Sequence, residues 1–246
     1  MYFCSRSLKK LTRIVMIKIK SLQKEYSGIL VLDIDELHIS AGESFGLVGN
    51  NGAGKTTLFR LILDITAPYA GEVLIEEENV ARREEWKKFT GSFLDESFLI
   101  DFLTPEEYFA FVGGLYQKKQ SEIETFLDEM KDIFNDEILG KGKLIREYSK
   151  GNQKKIGIAA ALLGDPKILI LDEPFTALDP TSQIRLKRFL TEVGEKRNIT
   201  MLISSHDLNH ITEVCRRIVI LEKGKIVKDL NRTEETLKEL ETYFSV

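Results

Sequence analysis

Residues 45–62 read FGLVGNNGAGKTTLFRLI, and their reading decides the fold. Phe45 to Val48 is a short apolar run closed by a glycine, the pattern of a buried parallel strand. GNNGAGKTT, from Gly49 to Thr57, then fits G-x-x-x-x-G-K-[ST]. Gly49, Gly52 and Gly54 permit backbone angles that turn successive N–H groups toward a polyphosphate. The whole loop, with Asn50, Asn51 and Ala53 between the glycines, is expected to wrap that ligand. KTTLFRLILDI follows with apolar residues at helical spacing and stops before Pro68, so a helix adds its positive dipole end. Lys55 is placed to reach the β- and γ-phosphates, the Thr56 hydroxyl to hold Mg²⁺, and Thr57 to touch the α-phosphate. A chance glycine-rich turn would match the loop alone. The strand before it and the helix after it argue for a nucleoside triphosphate site.

A second apolar strand, Ile168 to Leu171 in ILILDE, delivers two carboxylates at its carboxyl end, where open α/β sheets place ligands. Asp172 is expected to hold Mg²⁺ through its water shell. Glu173, swung inward by the turn at Pro174, is expected to orient or deprotonate the attacking water. His206 ends a third strand, ITMLISS, where its imidazole could bond the γ-phosphate or simply be structural. His38 and His210 read as structural or surface residues.

The remainder supports one α/β domain. MIKIKSL and GILVLDIDELHIS precede the phosphate loop as strands, and GEVLIEEEN follows it as another. REEWKKF reads as a short helix. From about Thr104 to Glu147 the texture turns helical: TPEEYFAFVGGLY opens with a cap, a first-turn proline and two carboxylates, and SEIETFLDEMKDIF is amphipathic. GNQKKIGIAAALLG and TSQIRLKRFLTEVGEK are further helices, RIVILEKGKIVKD a hairpin, and TEETLKELETYF a closing amphipathic helix.

With 246 residues, 43% hydrophobic and 30% charged, the chain can bury a sizeable core. The net charge of −4 gives no general attraction to nucleic acid, and no nucleic-acid partner is expected. Cys4 and Cys215 form no metal-ligand pattern and fit a reducing compartment. The longest apolar stretch, IGIAAALLGDPKILIL, is cut by Asp165, Pro166 and Lys167, short of a membrane span. Residues 1–15 make a poor secretory signal and read as a disordered or poorly packed extension, which a start assigned upstream of Met16 would explain.

The order GNNGAGKT, YSKGN, ILILDEP, ALD and SSH resembles the ATPase domain of ABC transporters, over nearly all of the chain from Met16 onward. The resemblance implies a P-loop NTPase core with a mostly parallel sheet, an N-terminal antiparallel β subdomain and a helical insertion at about residues 96–155. It implies ATP and Mg²⁺ as ligands. YSKGN stands where that family has the signature L-S-G-G-Q, so Ser149, Lys150, Gly151 and Asn152 would meet the γ-phosphate held by another subunit. Lys150 replaces a glycine there and Asn152 the glutamine, a variant similar to that of export-type ATPases. Asp179, in ALD, would cross the dimer interface, and Tyr26 would stack on adenine unless it packs in the core. Asp95 occupies the place of a family glutamine that touches Mg²⁺ or water, and brings a negative charge there.

The resemblance thus implies a homodimer, or a heterodimer with a related ATPase, that closes on ATP. It would sit at the cytoplasmic face of the membrane and drive a separately encoded integral permease, an exporter. The alternatives are an importer ATPase and a soluble ATPase of the same type in repair, translation or cofactor assembly. Two such domains in one chain, or a long coiled coil, would accompany the translation and repair roles, and neither is present. The intact Lys55, Asp172, Glu173 and His206 set disfavours an inactive paralogue.

Overall fold

Two sheets divide the strands. The structure, a computed structural model, describes residues 14–233 together with 236, 240 and 242. β1 (Val15–Tyr26) and β2 (Ile29–Ser40) form an antiparallel hairpin, the chain crosses to the second sheet as β3 (Ser44–Val48), and it returns as β4 (Ala70–Ile75) and β5 (Glu78–Asn79). The small sheet has the order β2-β1-β4-β5 and is antiparallel throughout.

The large sheet adds β6 (Thr90–Phe93), β7 (Ile168–Leu171), β8 (Thr200–Ser205), β9 (Arg217–Glu222) and β10 (Lys225–Asn231) to β3. Its order is β10-β9-β3-β8-β7-β6. All pairings are parallel except β10 on β9. Every residue of β7 and β8 is buried, the mark of strands covered on both faces. Each fully buried Leu or Ile there contributes about 1.5–3 kcal/mol of transfer free energy.

Helix α1 (Lys55–Ile62) lies between the two sheets. Its Leu58, Phe59, Leu61 and Ile62 share one core with Ile17, Leu22 and Ile39 of the small sheet and with Leu47 and Ile170 of the large one. On the other face of the large sheet, the helical insertion supplies α2 (Pro105–Leu115), α3 (Gln120–Glu129) and α4 (Lys131–Phe134), followed by α5 (Lys150–Leu163). α6 (Pro180–Arg197) and α7 (Leu208–Val214) complete that side, and a second core joins these helices to the sheet. The expected fold class is the observed one.

Several boundaries differ. Residues 1–13, most of the expected extension, lie outside the described residues; Val15, however, already pairs with Ser40, and the Ile14 carbonyl accepts from Ala41 N–H at 2.8 Å. The ladder therefore begins before Met16. GEVLIEEEN is not one strand: Glu76 and Glu77 both take positive φ, 48° and 65°, and fold it into a hairpin. SEIETFLDEMKDIF breaks at Met130, which closes α3 and opens α4. α2 does start as read, with Thr104 and Glu107 forming a reciprocal capping box. The expected closing helix falls mostly outside the described residues; Leu240 within it is buried.

Candidate nucleotide site

β3 ends at Val48, and the loop from Gly49 to Gly54 carries the chain into α1. Gly52 and Gly54 have φ of 83° and 109°, a left-handed region that favours glycine, so the loop needs these residues for its shape. The first turn of α1 has no side-chain cap and no acidic residue. Its leading N–H groups lack intrahelical acceptors by geometry, which leaves an anion-binding end.

Lys55 is buried, with its ammonium donating to the Gly49 carbonyl at 2.6 Å. It also donates to the Asn50 carbonyl at 3.5 Å and lies 3.3 Å from Glu173 Oε1. That oxygen is buried and has no hydrogen bond, so Lys55 and Glu173 face one another as an incompletely satisfied pair. A bound phosphate would satisfy the lysine.

Asp172 closes the corner. Thr56 Oγ1 donates to its Oδ2 and Ser204 Oγ donates to its Oδ1. Burial raises the Asp172 pKa above the ordinary carboxylate value, opposed by the Ser204 and Thr56 bonds and by Lys55. A buried carboxylate of this kind gains most from a cation. Among the described residues no three His, Cys, Asp or Glu side chains cluster as a metal site. Mg²⁺ fits nonetheless, since it commonly takes one or two protein oxygens and completes its shell with phosphate and water. Thr56 and Asp172 are the residues that would hold it.

Glu173 itself has φ of 47°, so the chain turns at this residue, before Pro174. A non-glycine residue there costs about 1–2 kcal/mol. The backbone is held on both sides: its N–H donates to Ser204 Oγ at 3.0 Å, and its carbonyl accepts from Lys154 Nζ at 2.8 Å and Thr176 Oγ1 at 2.9 Å. The turn aims the carboxylate between Lys55 and His206, whose Nδ1 lies 3.0 Å from Oε2. The His206 ring is exposed at the carboxyl end of β8, as expected from the sequence.

The structure thus brings Lys55, Thr56, Asp172, Glu173 and His206 together. Tyr26 stands at the β1–β2 hairpin tip, 44% exposed with Lys24 over its ring, so it is not a core residue. Asp95 is not drawn into the corner: both of its hydrogen bonds go to Ser97, and it caps the short turn at residues 96–98. The neighbouring Glu96 carboxylate instead approaches Lys154 at 3.8 Å. Ser149 caps α5 by accepting from Asn152 N–H at 3.2 Å, and Lys150 bonds Gln153 one turn on. Asp179 caps α6, and its bonds from Ser182 hold its pKa down. His38 pairs with Glu36, and His210 stacks on Phe175.

Gly151 has a reason within its own chain. A Cβ there would come within 2.6 Å of the Ala177 carbonyl, so the start of α5 packs directly on the loop after β7. The sequence reading, in which Gly151 meets a γ-phosphate held by another subunit, leaves this contact out. Sequence reasoning also missed Ser204 and Lys154. Ser204 stands in the quoted ITMLISS and Lys154 in the quoted GNQKKIGIAAALLG, but neither carries a motif of its own.

A family model described as ABC transporter matches residues 32–176. A Bacillus subtilis protein named as an uncharacterized ABC transporter ATP-binding protein, YhcH, is 31% identical over 93% of this chain and 74% of its own length. Methionine import ATP-binding protein MetN of Carboxydothermus hydrogenoformans is 33% identical over 87% of this chain and 66% of its own. Bacitracin transport ATP-binding protein BcrA of Bacillus licheniformis is 32% identical over 87% and 69%. The chain spans little more than half the length of two further relatives, 53% and 57%.

Among solved structures, an ATP-binding subunit of an ABC transporter superposes with a TM-score of 0.79 at 27% identity, over 94% of this chain and 93% of that one. A bacterial ABC transporter cassette solved as a dimer, MJ0796, shares the fold at a TM-score of 0.78 and 24% identity, over 89% and 99%. With a strand, phosphate loop and helix opposite the buried Asp172 and its neighbour Glu173, and with these likenesses, the chain belongs to the ABC transporter family, as an ATPase domain of its ATP-binding subunits.

Proposed function

We propose that this chain hydrolyses Mg²⁺-ATP to drive an exporter whose membrane-spanning part is a separate protein. The observation that carries the reading is the line Lys55–Glu173–His206 beside the Thr56–Asp172–Ser204 triad. Lys55 and the start of α1 would hold the phosphates, and Thr56 and Asp172 the Mg²⁺, which when bound draws charge off the phosphate oxygens. Glu173 would take the proton of the attacking water. His206, bonded to Glu173, would orient that carboxylate and lie within reach of the terminal phosphate.

Each site would be completed in a head-to-tail pair of chains, homodimer or heterodimer, by Ser149, Gly151 and the N-terminus of α5. The chain from Ile14 onward would act as one domain, since the β1–β2 ladder already takes in Ile14 and Val15. Tyr26 would stack on the adenine. Phe98, Phe102, Phe111 and Leu115 are 48–68% exposed on and before the helical insertion, which supports docking there on an integral permease. Among the described residues no helix is long and apolar enough to cross a membrane, consistent with a peripheral place on its inner face. Export rests on the S-K-G signature variant; the likeness to a methionine import protein favours the importer reading instead.

Glu173→Gln tests the chemistry. ATP turnover should fall about 10²- to 10⁴-fold, while Mg²⁺-ATP binding persists and an ATP-bound dimer accumulates on gel filtration. Unchanged turnover would remove Glu173 as the base. Purification of this variant from host membranes should bring down an integral protein, and assay of that pair in vesicles assigns the direction of transport.

A further inference from the structure

Lys154 is a lysine with almost no contact with solvent. It sits on α5, five residues after the Ser149 cap, and it is 6% exposed. Its ammonium donates to the Glu173 carbonyl at 2.8 Å and to Thr176 Oγ1 at 2.7 Å, with the Glu96 carboxylate 3.8 Å away as its ion-pair partner. Thr176 Oγ1 in turn donates to the same Glu173 carbonyl at 2.9 Å. A buried charge is retained only where it is paired, and here the pairing is spent on the backbone of one particular residue.

That residue is the strained one. Glu173 holds φ of 47°, and a side chain in this region persists only where its surroundings over-determine it. Ser204 accepts from its N–H and Lys154 donates to its carbonyl, so the peptide groups on either side of the Glu173 Cα are both anchored. Rotation of either would carry the carboxylate away from Lys55 and His206. Resting on the reading of Glu173 as general base, we infer that Lys154 is a positioning residue for hydrolysis. It fixes the backbone turn that aims Glu173 at the attacking water. Glu96 secures the far side of the ammonium, so the segment after β6 shares in that placement.

Lys154 touches neither phosphate-loop nor reacting atoms, and its loss should act on kcat alone. Lys154→Met keeps the length and removes the donors. We expect kcat to fall by about 10- to 10²-fold, with ATP affinity within about twofold of wild type. Lys154→Gln retains a donor and should recover part of the loss. In a Glu173→Gln background, Lys154→Met should cause no further drop, because residues acting through one group are not additive. Thr176→Val removes the second bridge to the same carbonyl and should lower kcat in the same direction, by a smaller factor.

Lys154→Met turning over within twofold of wild type, while Glu173→Gln is dead, overturns this inference only. So does a double variant that loses the full product of both factors, or an equal loss of ATP affinity. If Lys154→Met does not fold, a wild-type kcat in Thr176→Val overturns it. Retained turnover in Glu173→Gln removes the base assignment itself, and this inference with it.

Discussion

Two neighbouring regions, the carboxyl ends of β3 and β7 and the start of α5, differ in how they use hydrogen bonds. Around β7 and β3, the polar groups close on one another. Asp172 takes Thr56 and Ser204, Lys55 takes the Gly49 carbonyl, and Glu173 is held through its backbone and bonded to His206. At the start of α5, Ser149 makes a single capping bond, Gly151 makes a backbone contact, and the helix end carries no acidic residue. The first region, the proposed reaction centre, is a polar cluster assembled within one chain. The second is a helix start capped by Ser149 and packed on the loop after β7. This contrast is what makes a shared site the economical reading of both.

The contrast can be broken at its strongest point first. His206→Ala should reduce turnover by about 10²-fold with nucleotide affinity near normal, since the ring bonds Glu173 and not the loop. A wild-type rate would make His206 a structural histidine, and the first region would be smaller than drawn.

The next test asks whether the second region serves another chain. Lys55→Ala and Ser149→Arg are each expected to be inactive. Mixed in equal amounts, half of the random dimers carry one intact composite site, and about a quarter of wild-type sites return. No recovery at any ratio would leave the start of α5 as an ordinary capped helix. Ser149 is preferred to Gly151 here, because altering Gly151 also disturbs its own chain.

Gly151→Ala sharpens that point. The added Cβ meets the Ala177 carbonyl at 2.6 Å, and overpacking of this kind costs about 1–3 kcal/mol. The nucleotide-free protein should melt roughly 2–12 °C lower. An unchanged Tm would show that the loop moves aside and that the glycine is kept for something outside the chain.

The smallest effect concerns Asp172. Burial raises its folded pKa above 3.8, so the folded state binds its proton more tightly than the unfolded one. Its contribution to stability is therefore greatest at acid pH and declines as pH rises through the raised pKa. Asp172→Asn lacks that decline. At neutral pH the nucleotide-free variant should melt about 2 °C above wild type, with the difference shrinking on acidification and Mg²⁺ binding lost. A lower Tm at neutral pH would mean that the Thr56 and Ser204 bonds outweigh desolvation.

Much of this was legible because local pattern and chemistry coincide. FGLVG before GNNGAGKTT could only be a buried strand entering a loop, and Gly52 and Gly54 sit where φ is positive. ILIL placed Asp172 and Glu173 at a strand end, and ISS did the same for His206. The failures have local causes too. Nothing in Glu76–Glu77 announces a turn, since neither is glycine or asparagine, yet both take positive φ. Asp95 was read from its place in a family pattern, while its own carboxylate finds Ser97 two residues away and bonds there.

By itself, the sequence determined the order of the elements, the phosphate loop, and the placing of Asp172, Glu173 and His206 at strand ends, because each depends on neighbours within a few residues. Only the tertiary structure decided that Ser204 would hold Asp172 and the Glu173 backbone from 32 and 31 residues away, and that Lys154 would grip Glu173 from 19. Such bonds are set by which strands lie side by side and which helix end packs beneath them. No periodicity along the chain encodes a hydrogen bond between residues that packing alone brings into reach.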